Sequence, residues 1–439
     1  MSARRLLAAG GFPAFSWIWA GQVLSNLGSG LTRFAIGVWV FQNTGSATRY
    51  TLIAFCATLP AVFLSPFAGA LVDRWNRRRT MILSDSAAAA TTVVMVILLS
   101  LGRLEVWHIY LLVAVSSAFN SLQVPAFSAA TTLLVPKQHF TRAGGMVQMG
   151  NAAAQVLSPI LAGFLLGEIA IQGVILIDFA TFLVAVTVLA LVVVPEPERK
   201  VPAPGAAKPS LWREAGYGWT YIRQRPGLFH LLGFFAALNL LLPFALVLIT
   251  PLILSFANST ELGWILGLGS AGAFLGGLAM STWGGPKRRV AGVLGAGPFL
   301  AVGWIVAGLR PSLLWIGVGF SLAMLVLPML NASSQAIWQA KVEPAVQGRV
   351  FAMRRLIAQA TGPFAFLAAG PLADLLNPLL QEGGAWARAF GPVVGTGPGR
   401  GIALLFVAVG FSGECPAHGR GRGRGCRGAD HFPRWPDRR

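Results

Sequence analysis

Long apolar segments alternate with short polar ones along almost the whole chain. A bilayer core about 30 Å thick needs about 20 apolar residues per helix. Windows of that size predict eleven spans, at 15–41, 51–72, 80–101, 107–135, 144–167, 169–194, 228–256, 262–283, 290–309, 313–340 and 351–376. A last apolar run, 401–412, has 12 residues, which extend about 18 Å as a helix and do not cross. The pattern predicts an all-α membrane protein whose twelfth span is incomplete.

Composition agrees with this class. The 439 residues are 55% hydrophobic and 11% charged, whereas soluble domains carry about 25% charged residues. A soluble enzyme, a disordered chain and a coiled coil are therefore excluded. Three cysteines without a Cys-x-x-Cys spacing exclude a disulfide framework and a thiolate zinc site, so we expect no metal and no cofactor. The first apolar segment is longer than a signal-peptide core, and no Ala-x-Ala-like cleavage site follows it.

A polar stretch, 195–227, divides the spans into two sets of six. We predict an N-terminal half at 1–194, a linker at 195–227, a C-terminal half at 228–412 and a Gly/Arg-rich tail at 413–439. Within the linker, 210–225 fits a surface-lying amphipathic helix that tethers the halves or regulates them. Its apolar stripe consists of Leu211, Trp212, Ala215, Trp219 and Ile222.

Lysine and arginine distinguish the two sides of the membrane. The N-terminus, the linker and the loops on their side hold 21 of the 34 basic residues, and the loops on the opposite side hold five. Cytoplasmic loops carry the excess of basic residues, so the N-terminus and the linker are predicted to be cytoplasmic. The net charge of +19 then reflects topology, and no motif supports nucleic-acid binding.

The two halves resemble each other at a shift of 208 residues. The segment 69–75 aligns with 277–283, basic clusters follow both, and Pro136 aligns with Pro344. Such a duplication predicts two six-helix bundles related by an axis along the membrane normal, with a substrate site between them.

The loop after the second span carries the most specific motif. Its sequence, Gly69-Ala-Leu-Val-Asp-Arg-Trp-Asn-Arg-Arg-Arg79, resembles the G-x-L-a-D-r-x-G-r-r signature of the major facilitator superfamily. Asn76 stands where the second glycine usually falls, and we expect it in a left-handed turn, which Asn tolerates. The segments 44–46, 284–289 and 348–351 resemble the macrolide-efflux group of drug:proton antiporters. The resemblance covers about 12–412, and siderophore exporters and lysophospholipid transporters are similar to the same group.

The resemblance implies a major facilitator fold with a gate on the cytoplasmic side. Asp73 would meet the N-terminus of the eleventh span when that side is closed, because a helix N-terminus favours an anion. The gating residues that it implies are Gly69, Asp73, Arg74, Arg78, Arg79, Arg349 and Arg354. By chemistry alone, Asp73 and its arginines form a local ion-pair network or charges that set the topology.

Three ionisable residues within predicted spans stand out, because a charge costs about 2.5–3.5 kcal/mol at a helix centre and needs a partner. Arg33 and Asp178 lie at comparable depth on spans one and six, so a pair between them would neutralise both. Asp178 would then be a proton carrier. Alternatively, Arg33 extends toward the surface and Asp178 caps a neighbouring backbone. Asp85 is a third proton-coupling candidate, or it belongs to the Asp73 network.

Neutral polar residues outline a cavity. Gln22, Asn26, Ser29 and Arg33 share one face of span one, and the resemblance implies that spans one, four, seven and ten line a central cavity. The candidate substrate-binding residues are Gln22, Asn26, Asn120, Gln123, Asn239, Asn331, Gln335 and Trp338. Hydrogen bonding between helices is the competing explanation for the same residues.

No G-x-x-x-x-G-K-[ST] motif is present, so no ATP site is encoded and ion-coupled transport is the remaining active mechanism. The carboxylates suit a proton, with another cation such as sodium as the alternative. We therefore expect a monomeric, non-enzymatic exporter in the bacterial cytoplasmic membrane. Its partners would be a lipophilic or amphiphilic small-molecule substrate, a proton and the lipid bilayer, and no nucleic acid. A lysophospholipid or siderophore transporter, a lipid flippase and a transport-defective membrane protein are the alternatives.

The segment 413–439 changes character abruptly. Its core, 419–425, alternates glycine and arginine and cannot form a packed helix. An RNA-binding tail would explain this composition. A frame disruption near codon 412 would also explain why the twelfth span stops halfway, and we favour that hypothesis.

Overall fold

The computed structural model describes residues 11–192, 211–286, 289–343 and 346–418. This part of the chain forms thirteen α-helices and two short 3-10 helices, and it contains no strand. The α-helices are α1 Gly11–Thr44, α2 Ala47–Arg74, α3 Arg77–Ser100, α4 Val106–Leu134, α5 Phe140–Leu191, α6 Leu211–Arg223, α7 Pro226–Leu254, α8 Ser259–Trp283, α9 Arg289–Leu309, α10 Leu313–Lys341, α11 Gln347–Leu376, α12 Ala387–Val394 and α13 Arg400–His418. The 3-10 helices are Lys137–His139 and Pro378–Leu380. The predicted all-α class is confirmed.

Nine helices in the described chain are long and apolar enough to cross a membrane. They are α2 to α5 and α7 to α11, and α5, with 52 residues, holds two of the predicted spans. α1 has 34 residues, but its polar side chains, including Asn26 and Arg33, lower its mean hydropathy. The protein is therefore a multi-pass membrane protein, as the hydropathy pattern predicts.

Helix α13 continues beyond the predicted apolar run. It has 19 residues, which span about 28 Å at the helical rise. Its apolar part is Arg400–Ser412, so the helix persists past the point where its apolar character ends. The segment 419–439 lies outside the described residues, and the hypothesis of a frame disruption stays a prediction.

Spans five and six meet at a sharp corner at Ala170. Its φ of 54° and ψ of −179° lie in a region that residues with a Cβ rarely adopt. The helical segments on either side, 140–169 and 171–191, are termed α5a and α5b. Among the described residues Ala170 is the one non-glycine with a positive φ, so the reversal of chain direction is concentrated at this position.

Asn76 differs from the expectation. Its φ of −68° and ψ of 120° are extended, and its side-chain oxygen accepts a hydrogen bond from the Arg79 N–H at 3.1 Å. Asn76 is therefore the N-cap of α3, and the expected left-handed turn is wrong. A left-handed residue does occur at the corresponding place in the second half, where Gly284 ends α8 with a φ of 74°.

Two helix bundles make up the membrane domain. In the first, α1 packs on α5, and α4 packs on α2 and α3. In the second, α10 packs on α8 and α9, α9 packs on α13, and α7 packs on α11. The bundles meet through α5 with α8 and through α2 with α11. We call the side at which α1 begins and α2 ends the linker side, because α6 lies there, and the opposite side the far side.

The amphipathic helix α6 docks on the linker side of the C-terminal bundle. Tyr221 and Ile222 are buried against α7, α10 and the start of α11, and the Arg225 guanidinium lies 4.0 Å from the Glu343 carboxylate. Ile222 thus lies on the buried face, whereas Trp219 of the predicted stripe is 36% exposed and Tyr221 takes the inner position. The side chains of the remaining stripe residues lie outside the described part of the chain: Leu211, Trp212 and Ala215.

Candidate functional site

The two bundles touch at the far ends of α5a and α8. The Ser259 and Thr260 hydroxyls donate to the Gly163 carbonyl oxygen at 3.4 and 3.1 Å. One turn deeper, a Cβ added at Gly263 would collide with the Pro159 carbonyl oxygen, so the two backbones are in contact. Small residues permit this close approach of membrane helices. The contact closes one edge of the interface on the far side.

A second far-side contact joins α2 and α11. The Asp374 carboxylate accepts hydrogen bonds from the Ser46 hydroxyl at 2.7 Å and from the backbone N–H groups of Ala47 and Thr48 at 2.9 and 3.0 Å. Gly370, one turn before Asp374, lies directly against Thr48. Asp374 comes from the end of α11 and its three donors come from the start of α2, so this contact closes the other edge.

Toward the linker side, the same helix faces are exposed. Gln155 and Gln148 precede Pro159 by four and eleven residues, which places them on the face of α5a that touches α8, and both are exposed. Gln359 precedes Gly370 by eleven residues on α11 and is exposed as well. The bundles therefore diverge from the far side toward the linker side.

A cavity of about 240 Å³ lies beneath the far-side contacts. Both bundles line it, through Gly30, Arg33, Phe34, Tyr50, Pro159, Thr250 and Leu266. Arg33 is the charged residue in this wall, which is otherwise apolar, aromatic or hydroxyl-bearing. Asn26 lies seven residues before Arg33 on the same face of α1 and is exposed, so this face continues toward the linker side.

Asp178 lies behind the cavity wall on α5b and is 2% exposed. The Ser29 hydroxyl donates to its Oδ1 at 3.4 Å, and Arg33 Nε donates to the Ser29 carbonyl oxygen at 3.3 Å. Arg33 and Asp178 are also close enough to interact electrostatically. Gly28 permits this arrangement, because a Cβ there would lie only 2.8 Å from Asp178 Oδ1. The structure thus brings the two predicted partners together, with Ser29 between them.

Asp85 is the centre of a second buried network. Gln22 Nε2 donates to one carboxylate oxygen and Gln123 Nε2 to the other, both at 3.0 Å, and Gln123 also donates to Gln22 Oε1 at 3.0 Å. A buried carboxylate needs such donors, and this one takes them from α1 and α4. Gln22 and Gln123 therefore serve the interior of the N-terminal bundle rather than the cavity in this conformation. The polar stripe of α1 divides accordingly: Gln22 and Ser29 turn inward, Arg33 lines the cavity and Asn26 is exposed.

The other candidate amides also divide into exposed and bonded residues. Asn120 on α4 and Asn331 on α10 are exposed, so both are free to meet a substrate. Asn239 on α7 donates from Nδ2 to the Phe235 carbonyl oxygen at 2.6 Å. This bond to its own helix satisfies part of its hydrogen-bonding capacity and leaves the side chain half-buried.

The last two candidate substrate-binding residues, Gln335 and Trp338, lie next to Arg354. Arg354 donates to the Gln335 side-chain oxygen at 2.8 Å and to the Ser334 hydroxyl at 3.2 Å. Its guanidinium carbon lies 5.2 Å from the centre of the Trp338 ring. Trp338 is fully buried among residues of α6, α7 and α11 and does not reach the cavity. The cluster ties α11 to α10 within one bundle.

The predicted linker-side gate is described only in part. Arg78 donates from Nε to the Leu189 carbonyl oxygen at 2.7 Å, and from its NH2 group to that of Ala190. It therefore binds the C-terminal end of α5b, where a cation is favoured. Arg79 is exposed. The structure describes the backbone but no side-chain contact of the other gate residues, Gly69, Asp73, Arg74 and Arg349, so the gate stays a prediction.

Sequence reasoning did not single out three residues of this region: Asp374, Tyr50 and Thr250. A signal for Asp374 existed, because it is the one acidic residue between positions 351 and 376, near the end of the eleventh predicted span. Tyr50 and Thr250 carry no charge and belong to no motif, so nothing in the sequence marks them.

The relatives of this chain are membrane transporters. The model of the Major Facilitator Superfamily matches residues 18–366. Macrolide efflux protein A of Streptococcus pyogenes is 28% identical over 368 residues, covering 83% of this chain and 90% of the relative. Multidrug efflux pump Tap of Mycolicibacterium fortuitum is 27% identical over 358 residues, covering 79% of this chain and 86% of the pump.

Solved structures share the fold. A bacterial homologue of the human lysosomal transporter Spinster, inward-facing and unoccupied, has a TM-score of 0.65 at 15% identity and covers 93% of this chain and 95% of its own. The nucleoside transporter NupG has a TM-score of 0.66 at 12% identity, covering 94% and 100%. The family match over most of the chain agrees with the two bundles and the cavity between them. The protein is not an enzyme; it belongs to the Major Facilitator Superfamily.

Proposed function

We propose that this protein exports a lipophilic or amphiphilic, macrolide-like molecule across the bacterial cytoplasmic membrane by alternating access. The observation that carries the proposal is the cavity between the bundles, which is covered on the far side and flanked by exposed helix faces toward the linker side. Two relatives named for macrolide and multidrug efflux support export.

The distribution of basic residues sets the direction. The linker side carries most of the lysine and arginine, so it faces the cytoplasm and the N-terminus is cytoplasmic. The conformation described here then accepts cargo from the cytoplasm or from the inner leaflet. Export requires the far-side contacts to open while the linker side closes, with Asp73 and the arginines of its motif as the linker-side gate.

The cavity wall suits a largely apolar cargo with a few hydrogen-bonding groups. Phe34 and Leu266 supply apolar surface, and Tyr50 and Thr250 supply hydroxyls. Asn26, Asn120 and Asn331 are exposed nearer the linker side and would contact the cargo as it enters. The remaining candidate amides, Gln22, Gln123, Asn239 and Gln335, would support these helices.

The coupling ion is a proton, and Asp178 carries it. When Asp178 is charged, Ser29 and Arg33 stabilise it, and the guanidinium is drawn toward the wall. When Asp178 is protonated, that attraction ends and Arg33 is free to extend into the cavity. Cargo and proton thereby compete through one side chain, as an antiporter requires. Asp85, bonded to two amides, is a second titratable site within the same bundle.

Accumulation of a labelled macrolide in a pump-deficient bacterial host tests the proposal. We expect expression of the chain to lower accumulation, a protonophore to abolish the effect, and Asp178→Asn to abolish it as well. Glu168→Gln is the matched control, because Glu168 is an exposed carboxylate at the far-side end of α5a, and it should leave export unchanged.

Each contrary outcome is informative once the protein is shown to be in the membrane. Export that resists the protonophore but needs a sodium gradient would overturn proton coupling. Movement of lysophospholipid or siderophore without movement of macrolide would overturn the cargo class, and lipid scrambling would indicate a flippase. No transport of any of these substrates, including after the reading frame of the tail is restored, would overturn export itself.

A further inference from the structure

We infer that Asp374 is a latch on the far side: its carboxylate, bound to the start of α2, holds the outer ends of the two bundles together and must release before the cavity opens outward. The inference rests on the alternating access proposed above. It adds a residue that lies outside the signature motif.

The latch is an N-cap supplied by the other half of the protein. The first N–H groups of a helix have no partner within the helix, and at the start of α2 Ala47 and Thr48 donate theirs to Asp374. Ser46 adds its hydroxyl, while its oxygen also accepts from the Arg49 N–H at 3.3 Å. Bonds to a charged acceptor are shorter and stronger than neutral ones, and the helix dipole adds to the attraction.

The latch is half-buried and tightly packed. Ala47 is 1% exposed, and it belongs with Val38 to the hydrophobic core of the C-terminal bundle. A Cβ added at Gly370 would collide with the Thr48 backbone and the Thr51 hydroxyl. Hydrogen bonds are electrostatically stronger where less water reaches them, so these three half-buried bonds resist separation of the bundles more than the same bonds would at an open surface.

The other far-side contact lacks this charge. Between α5a and α8, two neutral hydroxyls donate to one carbonyl oxygen, that of Gly163. Of the two edges of the interface, the α2–α11 edge is therefore the one that an ionised side chain holds. Loss of that single carboxylate should weaken closure more than loss of either hydroxyl.

The same helix pair has a matching arrangement at its other end. Helix α2 begins on the far side and ends on the linker side, and α11 runs the opposite way. Asp374 comes two residues before the end of α11, and Asp73 comes one residue before the end of α2. The family resemblance implies that Asp73 meets the start of α11. Each helix thus carries an aspartate near its end: Asp374 caps the start of α2, and the resemblance implies the corresponding contact for Asp73. When the bundles rock, one contact forms as the other breaks.

Cysteine labelling tests the latch without cargo or an ion gradient. In the full chain with Cys56, Cys415 and Cys426 replaced by alanine, Thr250→Cys places a thiol in the cavity under the far-side contacts. A membrane-impermeant maleimide is applied to the far face in vesicles. We expect Asp374→Ala to raise the labelling rate at least about tenfold, since each bond to a charged group favours the closed state severalfold and the variant loses all three.

Two further variants are needed: one separates the effect of the charge from that of the oxygen acceptor, and the other is a control. Asp374→Asn keeps an oxygen acceptor but loses the charge, so its labelling rate should lie between those of the parent and the alanine variant. Glu382→Gln removes an exposed carboxylate on the same side and should change nothing. Equal labelling rates in the Asp374→Ala variant and its parent, with both proteins folded, would overturn the latch.

Amide exchange covers the case in which the Asp374→Ala variant does not fold. In the Asp374→Asn protein, peptides containing the first turn of α2 should exchange faster than in the parent, because two N–H groups lose a charged acceptor. Unchanged exchange there would contradict the inference. Faster labelling in a protein that moves no macrolide would sustain the latch and count against the cargo, so the two proposals fail separately.

Discussion

The two bundles share a topology but differ in how their helices approach one another. In the N-terminal bundle, two glycines of α1 meet polar side chains: Gly30 faces the Ser158 hydroxyl, and Gly28 faces Asp178 and Thr181. In the C-terminal bundle, four glycine contacts are with backbone carbonyl oxygens. The pairs there are Gly272 with Ser321, Gly276 with Leu325, Gly303 with Gly319, and Gly308 with Ala403.

Buried carboxylates follow the same division. Asp85 and Asp178, 5% and 2% exposed, are buried in the N-terminal bundle, and no carboxylate is buried in the described residues of the C-terminal bundle. Side chains can change rotamer or protonation state, whereas backbone contacts between glycines cannot give way without moving a whole helix. The proposed proton coupling would therefore act first in the N-terminal bundle, and the C-terminal bundle would move as one body.

The largest effect is expected where backbone meets backbone. Gly276→Ala places a methyl group on the Leu325 carbonyl oxygen, and such overpacking should lower the free energy of unfolding by about 3 kcal/mol. Gly277→Ala is the control, because a Cβ at Gly277 meets open space. Alanine there should match or exceed the parent by up to about 1 kcal/mol. Thermal unfolding of both in detergent gives the comparison. Equal melting temperatures would contradict the prediction, because they would mean that α8 and α10 can move apart at no cost in stability.

An intermediate effect is expected in the polar network of the N-terminal bundle. Asp85→Leu leaves the Gln22 and Gln123 amides without their acceptor, which should cost about 2 kcal/mol. Asp85→Asn retains one oxygen and should lose about half as much. Chemical denaturation in micelles would rank the two variants. A leucine variant as stable as the parent would mean that the network contributes nothing to the fold.

The smallest effect concerns the polar cluster around Arg354 in the C-terminal bundle. Arg354→Lys retains the charge but cannot reach both the Ser334 hydroxyl and the Gln335 amide with one ammonium group, so we expect a loss of about 1 kcal/mol. Arg355→Lys, at the exposed neighbouring position, should lie within about 0.5 kcal/mol of the parent. The pair is compared by thermal unfolding. A larger loss at Arg355 than at Arg354 would contradict the assignment of the Arg354 cluster.

Hydropathy was sufficient to predict the spans, because the bilayer penalises polar groups strongly enough to set where helices begin and end. It could also suggest Arg33 and Asp178 as partners, since an intramembrane charge needs one. Hydropathy could not predict which way each polar residue of α1 points. Gln22, Asn26, Ser29 and Arg33 fall within an arc of about 60° on a helix, so a small rotation decides which of them turn inward.

The sequence did not predict the Asp374 contact, because it joins distant parts of the chain. Asp374 and Ser46 are 328 residues apart, and no periodicity links them. Asn76 shows the converse, a local misreading. Its place in the motif suggested a turn, but the start of α3 needed a side-chain acceptor, which Asn supplies.

The docking of α6 determines how the two bundles are joined covalently. Because Tyr221, Ile222 and Arg225 bind the C-terminal bundle, α6 travels with that bundle, and only the stretch 193–210 connects it to the other. Eighteen residues can reach about 60 Å when fully extended, about twice the thickness of the bilayer core. The length of the segment 193–210 therefore does not limit how far the two bundles can move relative to each other. A polypeptide cut between 192 and 211 would still present two complementary faces, able to reassemble in the membrane from separate chains.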